Sequence, residues 1–328
     1  MGKHVQVALW FAALMLGGWG LAGAAPASAP RLPIIIDTDI GDDIDDAFAL
    51  VVALNDPRFE VVGITTAWGD THTRTLLVRR LLAAAGREDV PVAEGPATAN
   101  TTPFTQKQWA LGGREQGPAP DAIEFLRTVT LQRPGQITLV ALAPLTNIEA
   151  LHARDPEALR RFAAVVLMAG SIYRGYNLGG AIPQATPHAE YNVASAPLGL
   201  ATLLAAGGRV RMFPLDSTQI KFDEVRRDRL FAYGSGASDA LALLYHQWRL
   251  LNGWGQLTPT LFDAVPLAWL LQPSLCKLES MRIEVDARGF TRPIPGAANV
   301  EVCLAIDESA TLNLMMDDLA PGLRRSTP

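Results

Sequence analysis

The sequence predicts an α/β protein with a single open, mostly parallel sheet flanked by helices. Short apolar runs without polar alternation recur along the chain, and they are typical of strands buried on both faces of a parallel sheet. Helical patterns separate these runs, which is the order of βαβ units with right-handed crossovers. The 328 residues are 49% hydrophobic and 19% charged, so the chain can bury the core that such a sheet requires.

The strands and helices are expected to alternate from residue 34 onward. Strands are expected at residues 34–36, 60–66, 137–142, 164–169 and 210–213. Helices are expected at residues 45–55, 74–85, 122–132, 197–206 and 240–251. Two later strands, at residues 280–285 and 300–306, are expected to pair antiparallel at an edge of the sheet. The polar stretch at residues 100–120 predicts a long surface loop, a kind of segment that often forms a lid.

The N-terminus has the pattern of a secretory signal peptide. Lys3 precedes an apolar run over residues 7–16, and the segment ends in the small residues Ala22-Gly23-Ala24. Removal of residues 1–24 would leave residues 25–328 as one domain, exported to the periplasm or secreted, with no stable membrane insertion. The alternative is that the apolar segment is retained as a membrane anchor.

Cysteine content and net charge bear on the compartment and the partners. The chain has two cysteines, Cys276 and Cys303, which could form a disulfide in an oxidising compartment or stay as two buried free thiols. The formal net charge of −5 argues against a nucleic-acid partner, because a phosphate backbone is bound by clustered Lys and Arg.

The segment richest in chemical information is an acidic run that follows the first expected strand. It holds six aspartates within ten positions, namely Asp37, Asp39, Asp42, Asp43, Asp45 and Asp46. The run lies at the carboxyl end of a strand, where open α/β sheets bind ligands. Carboxylates this close repel each other unless a cation neutralises them, and capping of the next helix accounts for only one or two of them. Oxygen ligands without His or Cys suit Ca²⁺ or Mg²⁺.

This run resembles the N-terminal motif of the inosine–uridine-preferring nucleoside hydrolase family, in which Asp-x-Asp, a glycine and Asp-Asp-Ala follow an apolar strand. The matching residues are Asp37-Thr38-Asp39, Gly41 and Asp45-Asp46-Ala47. Further matches follow in order along the chain, at residues 60–66 with Trp68-Gly69-Asp70, at residues 142–147, at residues 165–171, at residues 186–192 and at Leu261-Phe262-Asp263. The resemblance implies the Rossmann-like fold of that family.

With the signal pattern, the resemblance implies an exported, Ca²⁺-dependent hydrolase that cleaves the N-glycosidic bond of ribonucleosides to ribose and free base. Relatives are commonly oligomers, so a homo-oligomer is expected. The carboxylates of Asp39, Asp46 and Asp263 and the backbone carbonyl of Leu142 would bind Ca²⁺. Asp39 would also deprotonate the attacking water.

The same resemblance implies which residues bind the nucleoside. Asp45 and Asn192 would form hydrogen bonds with the 2′- and 3′-hydroxyls of the ribose. Glu190 would hold the 5′-hydroxyl, and Gln184 lies where relatives have an Asn that contacts the same hydroxyl. Asp70 lies where an Asn often helps to orient the sugar.

Activation of the leaving base departs from the family pattern. Phe262 occupies the position at which several members have a His that protonates the base. His188 and His246 are alternative donors, and stacking of the base against aromatic rings is another route. The candidate rings are Trp109, Trp248 and Trp254. Asp43 has no assigned role, because this loop is two residues longer than the shortest family form.

Two other functions stay open at this point. A haloacid-dehalogenase-type phosphatase also begins with a strand and Asp-x-Asp, but Gly41 lies where that chemistry usually has Thr or Val. An exported nucleoside- or sugar-binding protein with a metal site and little turnover is the second, and Phe262 in the place of the His keeps it open.

Overall fold

The computed structural model describes Gly2 and residues 30–113, 117–177, 186–253 and 255–323. The expected signal peptide therefore lies outside the described residues, apart from Gly2. Arg31–Pro328 form one compact unit. None of the helices in the described ranges is long and apolar enough to cross a bilayer.

The described part of the chain alternates strands and helices as expected. The strands are β1 (Leu32–Thr38), β2 (Phe59–Thr66), β3 (Val92–Glu94), β4 (Thr138–Ala141), β5 (Ala164–Met168), β6 (Val210–Phe213), β7 (Leu278–Val285), β8 (Thr291–Ile294) and β9 (Val300–Cys303). The helices are α1 (Asp45–Asn55), α2 (Thr71–Ala84), α3 (Lys107–Leu111), α4 (Ala122–Gln132), α5 (Thr146–Arg154), α6 (Tyr191–Ser195), α7 (Pro197–Ala206), α8 (Leu215–Thr218), α9 (Glu224–Phe231), α10 (Gly236–Leu251), α11 (Ala264–Leu271) and α12 (Glu308–Leu319).

These strands form one mixed, mostly parallel sheet, which confirms the expected fold class. Its order is β3-β2-β1-β4-β5-β6-β9-β7-β8. All neighbours from β3 to β9 pair in parallel, and β7 runs antiparallel to both β9 and β8. The chain extends the sheet from β1 in one direction through β2 and β3, and then in the other direction through β4, β5 and β6. The order therefore reverses between β1 and β4, and crevices at such a point bind ligands in α/β proteins.

The first strand shows why the apolar runs of this sequence do not alternate. Ile34 and Ile36 pack into one hydrophobic cluster, which includes Phe48 of α1, and Ile35 packs into a second cluster on the opposite face. All three isoleucines have no exposed surface. A strand covered on both faces needs apolar side chains at every position, so the continuous run follows from the layer architecture.

Several elements differ from the expectation. The short strands β3 and β8 and the helices α3, α5, α6, α8, α9, α11 and α12 were not predicted. The stretch at residues 100–120 contains α3 and several buried side chains instead of being only a surface loop. The two late strands pair antiparallel as expected, but β9 lies inside the sheet between β6 and β7, and β8 forms the edge. A four-residue strand with two exposed positions gives too short a pattern to detect in the sequence.

A disulfide joins the segment before β7 to the end of β9. The Sγ atoms of Cys276 and Cys303 are 2.09 Å apart and their Cα atoms 6.0 Å apart. The structure therefore selects the first of the two alternatives for these cysteines. The bond links the segment that leads into the antiparallel strand β7 to β9, which pairs in parallel with β6.

Candidate active site

A cavity of about 430 Å³ opens at the carboxyl ends of β1, β4 and β5. The acidic run between β1 and α1 forms one wall, and the segment that leads into α6 forms another. The lining residues are Asp39, Asp42, Asp43, Asp45, Asp46, Thr102, Leu142, Met168, Tyr176, Ala189, Glu190, Tyr191, Asn192, Ala194, Gln256, Phe262 and Asp263. Six of the predicted site residues that the structure describes thus meet at the topological switch point, together with the carbonyl-bearing Leu142.

The acidic loop is held in place by a buried arginine from α2. Arg74 has no exposed surface, and its Nη1 and Nη2 lie 3.1 and 2.8 Å from the carboxylate oxygens of Asp42. The same guanidinium donates to the backbone carbonyls of Asp39 and Ile40. A bidentate pair of this kind fixes geometry as well as charge. Asp42 is therefore neutralised inside the protein and shapes the loop.

The stretch that the sequence indicated as a surface loop closes over the same acidic run. Thr105 Oγ1 donates to the carbonyl of Asp42 at 2.9 Å, and Gln106 Nε2 donates to the carbonyl of Asp43 at 2.5 Å. Gly41 has φ 127°, and a Cβ there would lie 2.0 Å from the Phe104 ring. The glycine of the motif is thus required both by its backbone conformation and by the close approach of Phe104.

Three carboxylates at the base of the cavity lie close enough to share one cation. Single oxygens of Asp45, Asp46 and Asp263 all lie within 4.8 Å of one another, and all three residues are buried. Burial, and after it the charge of neighbouring carboxylates, raises the pKa of each well above its usual range. Three buried carboxylates with no cation beside them are unfavourable, so this donor set fits a hard metal ion.

Asp39 lines the same cavity but does not belong to that closest group. Burial, followed by the charge of Asp46, raises its pKa well above the usual range. The closest group contains Asp45, for which we expected contacts to the ribose hydroxyls, in place of Asp39. The ligand role of Asp39 and the sugar role of Asp45 stay predictions.

The opposite wall carries the predicted amide and carboxylate. Asn192 Nδ2 donates to the carbonyl oxygens of Leu142 at 2.7 Å and Met168 at 3.1 Å, so one side chain bridges the ends of β4 and β5. Glu190 caps the short helix α6 and accepts from the backbone N–H groups of Gly170, Asn192 and Val193. Burial raises the pKa of Glu190 to about 7, although these hydrogen bonds oppose the shift.

Two other aspartates of the run have different surroundings. Asp37 does not line the cavity, and its Oδ1 accepts from Thr65 Oγ1 at 2.5 Å and from Asn147 Nδ2 at 2.7 Å. It therefore joins the end of β1 to β2 and α5. Asp43, which had no assigned role, does line the cavity, and burial raises its pKa to about 6.

Several candidates from the sequence do not reach the cavity. The carboxylate of Asp70 caps α2 by accepting from the backbone N–H of Thr73 at 3.0 Å. His246 is exposed on α10. His188 is not among the lining residues, and its ring stacks on that of Tyr176. Trp109 and Trp248 are buried in the core. Gln184 and Trp254 lie outside the described residues, so their predicted roles remain predictions.

Two tyrosines that the sequence did not point to line the cavity. Tyr176 contacts the ring of Phe262, with centroids 6.3 Å apart. The Tyr191 hydroxyl accepts from Trp68 Nε1 and contacts Thr102 Oγ1, each at 3.1 Å. Tyr191 lies in the matched segment at residues 186–192, directly after Glu190, so the sequence could have indicated it as a site residue. Nothing in the sequence marked Tyr176.

Comparisons with known proteins show which family the chain belongs to. The family described as inosine-uridine preferring nucleoside hydrolase matches residues 34–313. This chain belongs to that family. It is therefore an N-glycosyl hydrolase of nucleosides, and the phosphatase alternative is wrong.

Individual relatives span almost the whole nucleoside hydrolase chain. A probable uridine nucleosidase of Arabidopsis thaliana is 29% identical over 329 residues, which cover 89% of this chain and 99% of the relative. A non-specific ribonucleoside hydrolase of Salmonella newport is 32% identical, covering 84% of this chain and 94% of the relative. A solved plant nucleoside hydrolase has a TM-score of 0.76 at 24% identity, covering 89% of this chain and 100% of its own. At this level of identity, the similarity to the solved plant structure shows the fold alone.

Proposed function

We propose that this nucleoside hydrolase is an exported, Ca²⁺-dependent enzyme that cleaves ribonucleosides to ribose and free base. The observation that carries the proposal is the group of buried carboxylates of Asp45, Asp46 and Asp263 within 4.8 Å of one another, in one cavity with Asp39 and Asn192. The names of the two relatives above, a uridine nucleosidase and a non-specific ribonucleoside hydrolase, support ribonucleosides as the substrate class.

The residues of the cavity suit bond cleavage with positive charge growing on the sugar. Buried carboxylates stabilise such charge more strongly than they could in water. Asp39 is the proposed general base, because its carboxylate lines the cavity beside the proposed ion site and could accept a proton from a water held there. Asn192 is held by two backbone carbonyls, so its side-chain oxygen is fixed in direction for a ribose hydroxyl. Glu190 is proposed to accept from the 5′-hydroxyl.

Ca²⁺ is the proposed ion because every available donor is an oxygen, which suits a hard cation, and because the family resemblance implies Ca²⁺ rather than Mg²⁺. Asp39, Asp46, Asp263 and the Leu142 carbonyl are the proposed ligands, with Asp45 close enough to be a further one. When bound, the ion would supply a positive charge that holds the ribose diol and lowers the pKa of a water. Asn192 already donates to the Leu142 carbonyl, which fixes the direction of that oxygen.

Export is proposed from the signal pattern at residues 1–24, and the disulfide supports it. A disulfide between Cys276 and Cys303 persists in oxidising compartments and is rare in the cytosol. N-terminal sequencing of the exported protein is expected to begin at residue 25 or residue 28, after Ala24 or Ala27. A cytosolic protein that starts at Met1 would contradict this part of the proposal.

Self-association is also proposed, because three leucines on α10 lie open to solvent. Leu243, Leu250 and Leu251 are each more than half exposed. Sedimentation of the purified protein tests it, and a single species with the mass of one chain would contradict it.

One assay tests the catalytic part of the proposal and separates it from a binding protein. Purified protein is given a panel of ribonucleosides, and reducing sugar is measured with and without a chelator. Ribose is expected in amounts equal to the free base, with loss of activity on chelation and recovery on adding Ca²⁺. A binding protein would instead show a nucleoside-dependent rise in Tm without released sugar. Full activity in protein shown by elemental analysis to be free of metal would contradict Ca²⁺ dependence.

A further inference from the structure

The cavity wall that carries Tyr176 is a rigid turn after β5. The carboxylate of Asp216 accepts from the backbone N–H groups of Ile172 at 2.8 Å and Tyr173 at 2.8 Å, and from Arg174 at 3.2 Å. Gly175 follows, and a Cβ there would lie 2.4 Å from the carbonyl oxygen of Thr186. Both features fix the backbone just before Tyr176, so its side chain is preorganised.

The Tyr176 ring is clamped between two other rings. It stacks on His188, with centroids 6.0 Å apart and an interplanar angle of 29°, and meets Phe262 edge-on at 6.3 Å. The backbone N–H of Tyr176 donates to Nδ1 of the same His188 at 3.1 Å. A ring held on both sides keeps its hydroxyl at one position in the cavity wall.

The O–H of Tyr176 is free to donate a hydrogen bond to a ligand. Its oxygen accepts from the backbone N–H of Tyr191 at 2.9 Å, and its own O–H reaches no acceptor among the described residues. Burial, and after it the charge of Glu190, raises the pKa of Tyr176 well above its usual range, so the O–H stays protonated. Tyr176 is therefore a neutral donor next to the backbone of the Glu190 segment.

Glu190 can accept a further hydrogen bond. Its Oε2 accepts from the N–H groups of Gly170 and Val193, whereas among the described residues its Oε1 accepts only from Asn192. A carboxylate oxygen has about two acceptor sites, so Oε1 keeps one. Glu190 and Tyr176 thus offer one acceptor and one donor at the same wall, which is what a hydroxyl group needs because it both donates and accepts.

We propose that Tyr176 donates a hydrogen bond to the 5′-hydroxyl of the bound nucleoside, while that hydroxyl donates to Glu190. Tyr176 would then favour nucleosides with a free 5′-hydroxyl. This inference rests on the proposed function, in which the ribose diol lies at the proposed ion and the 5′ end of the nucleoside lies at Glu190.

The test compares Tyr176→Phe on a nucleoside and on its 5′-deoxy analogue. Uridine and inosine serve as substrates, each with its 5′-deoxy form. The variant is expected to lose about 3- to 10-fold in kcat/KM on the nucleoside, the usual worth of one neutral hydrogen bond. On the 5′-deoxy analogue the wild type and the variant are expected to be equal, because the partner of the phenol is absent. Tyr173→Phe is the matched control, since Tyr173 lies in the same turn and is 53% exposed.

Every other outcome overturns the proposal. Equal losses on the nucleoside and its 5′-deoxy form would mean that the phenol acts through its bond to the Tyr191 N–H. Losses on both forms with none on p-nitrophenyl riboside would place the phenol at the leaving base. No loss on any substrate would leave Tyr176 without a role in binding. Failure of the proposed function is distinct, because the wild type itself would then release no ribose.

Discussion

Replacing Arg74 by Met is expected to destabilise the protein more than removing a charged side chain from an exposed ion pair. Arg74 has no exposed surface and Asp42 is 4% exposed, so the substitution leaves a buried carboxylate without its cation. Breaking a buried pair from one side costs about 3–5 kcal/mol, whereas an exposed pair is worth about 0–1 kcal/mol. With 2–4 °C per kcal/mol for large domains, Tm should fall by roughly 6–20 °C.

The assay is thermal unfolding of four proteins, the wild type, Arg74→Met, Asp42→Asn and the double variant. Because most of the loss comes from an unpaired charge, Asp42→Asn should be less harmful when Arg74→Met is already present. Arg154→Ala is the control, since that side chain is 61% exposed and pairs with Glu124 at the surface. A shift for Arg74→Met no larger than for Arg154→Ala would refute the reasoning, as would strict additivity in the double variant.

Three other predictions follow from the structure. Asp39→Asn should lose about 10²- to 10⁴-fold in kcat with Tm within a few degrees of the wild type, and near-normal turnover would place the base elsewhere. Replacing both Cys276 and Cys303 by Ser should lower the unfolding free energy by about 3–4 kcal/mol, because the bond closes a loop with a sequence separation of 27. Equal stability of the wild type with and without reductant would contradict this prediction. Burial and Asp56 raise the pKa of Asp318 to about 8, so its contribution to stability is lost as pH rises from about 4 through 8. Asp318→Asn should therefore flatten the fall in unfolding free energy over that pH range, and an unchanged slope would exclude this residue as its source.

The acidic loop could be predicted from the sequence because its key residues are neighbours in the chain. Asp39 directly follows β1, and Asp45 and Asp46 begin α1. Both elements have clear patterns, so one segment indicated both the carboxylates and their place at the sheet edge. Asp263 lies directly before α11, more than two hundred residues later. Only the family resemblance associated it with the loop, and the structure brings it within 4.8 Å of Asp45 and Asp46.

Arg74, Asp70 and Tyr176 show where sequence patterns fail. An arginine in an amphipathic helix usually faces solvent, and the burial of Arg74 is decided by Asp42 on another segment. Asp70 was assigned to the sugar by its position in a motif, yet Asp before Thr71 is also a common helix cap, and its carboxylate caps α2. Tyr176 follows a turn whose shape depends on Asp216, so no local pattern marks it.

The aspartates of the acidic run differ in the groups that stabilise their carboxylates. Asp42 is paired with Arg74, and Asp37 accepts hydrogen bonds from Thr65 and Asn147. Within the described residues, no Lys, Arg or His forms an ion pair with Asp45, Asp46 or Asp263. Arg74 thus neutralises the aspartate that shapes the loop, whereas Asp45, Asp46 and Asp263 at the base of the cavity have no basic partner among the described residues and leave negative charge there. That remaining negative charge is where a cation, and the positive charge that develops on a departing ribose, gain the most stabilisation.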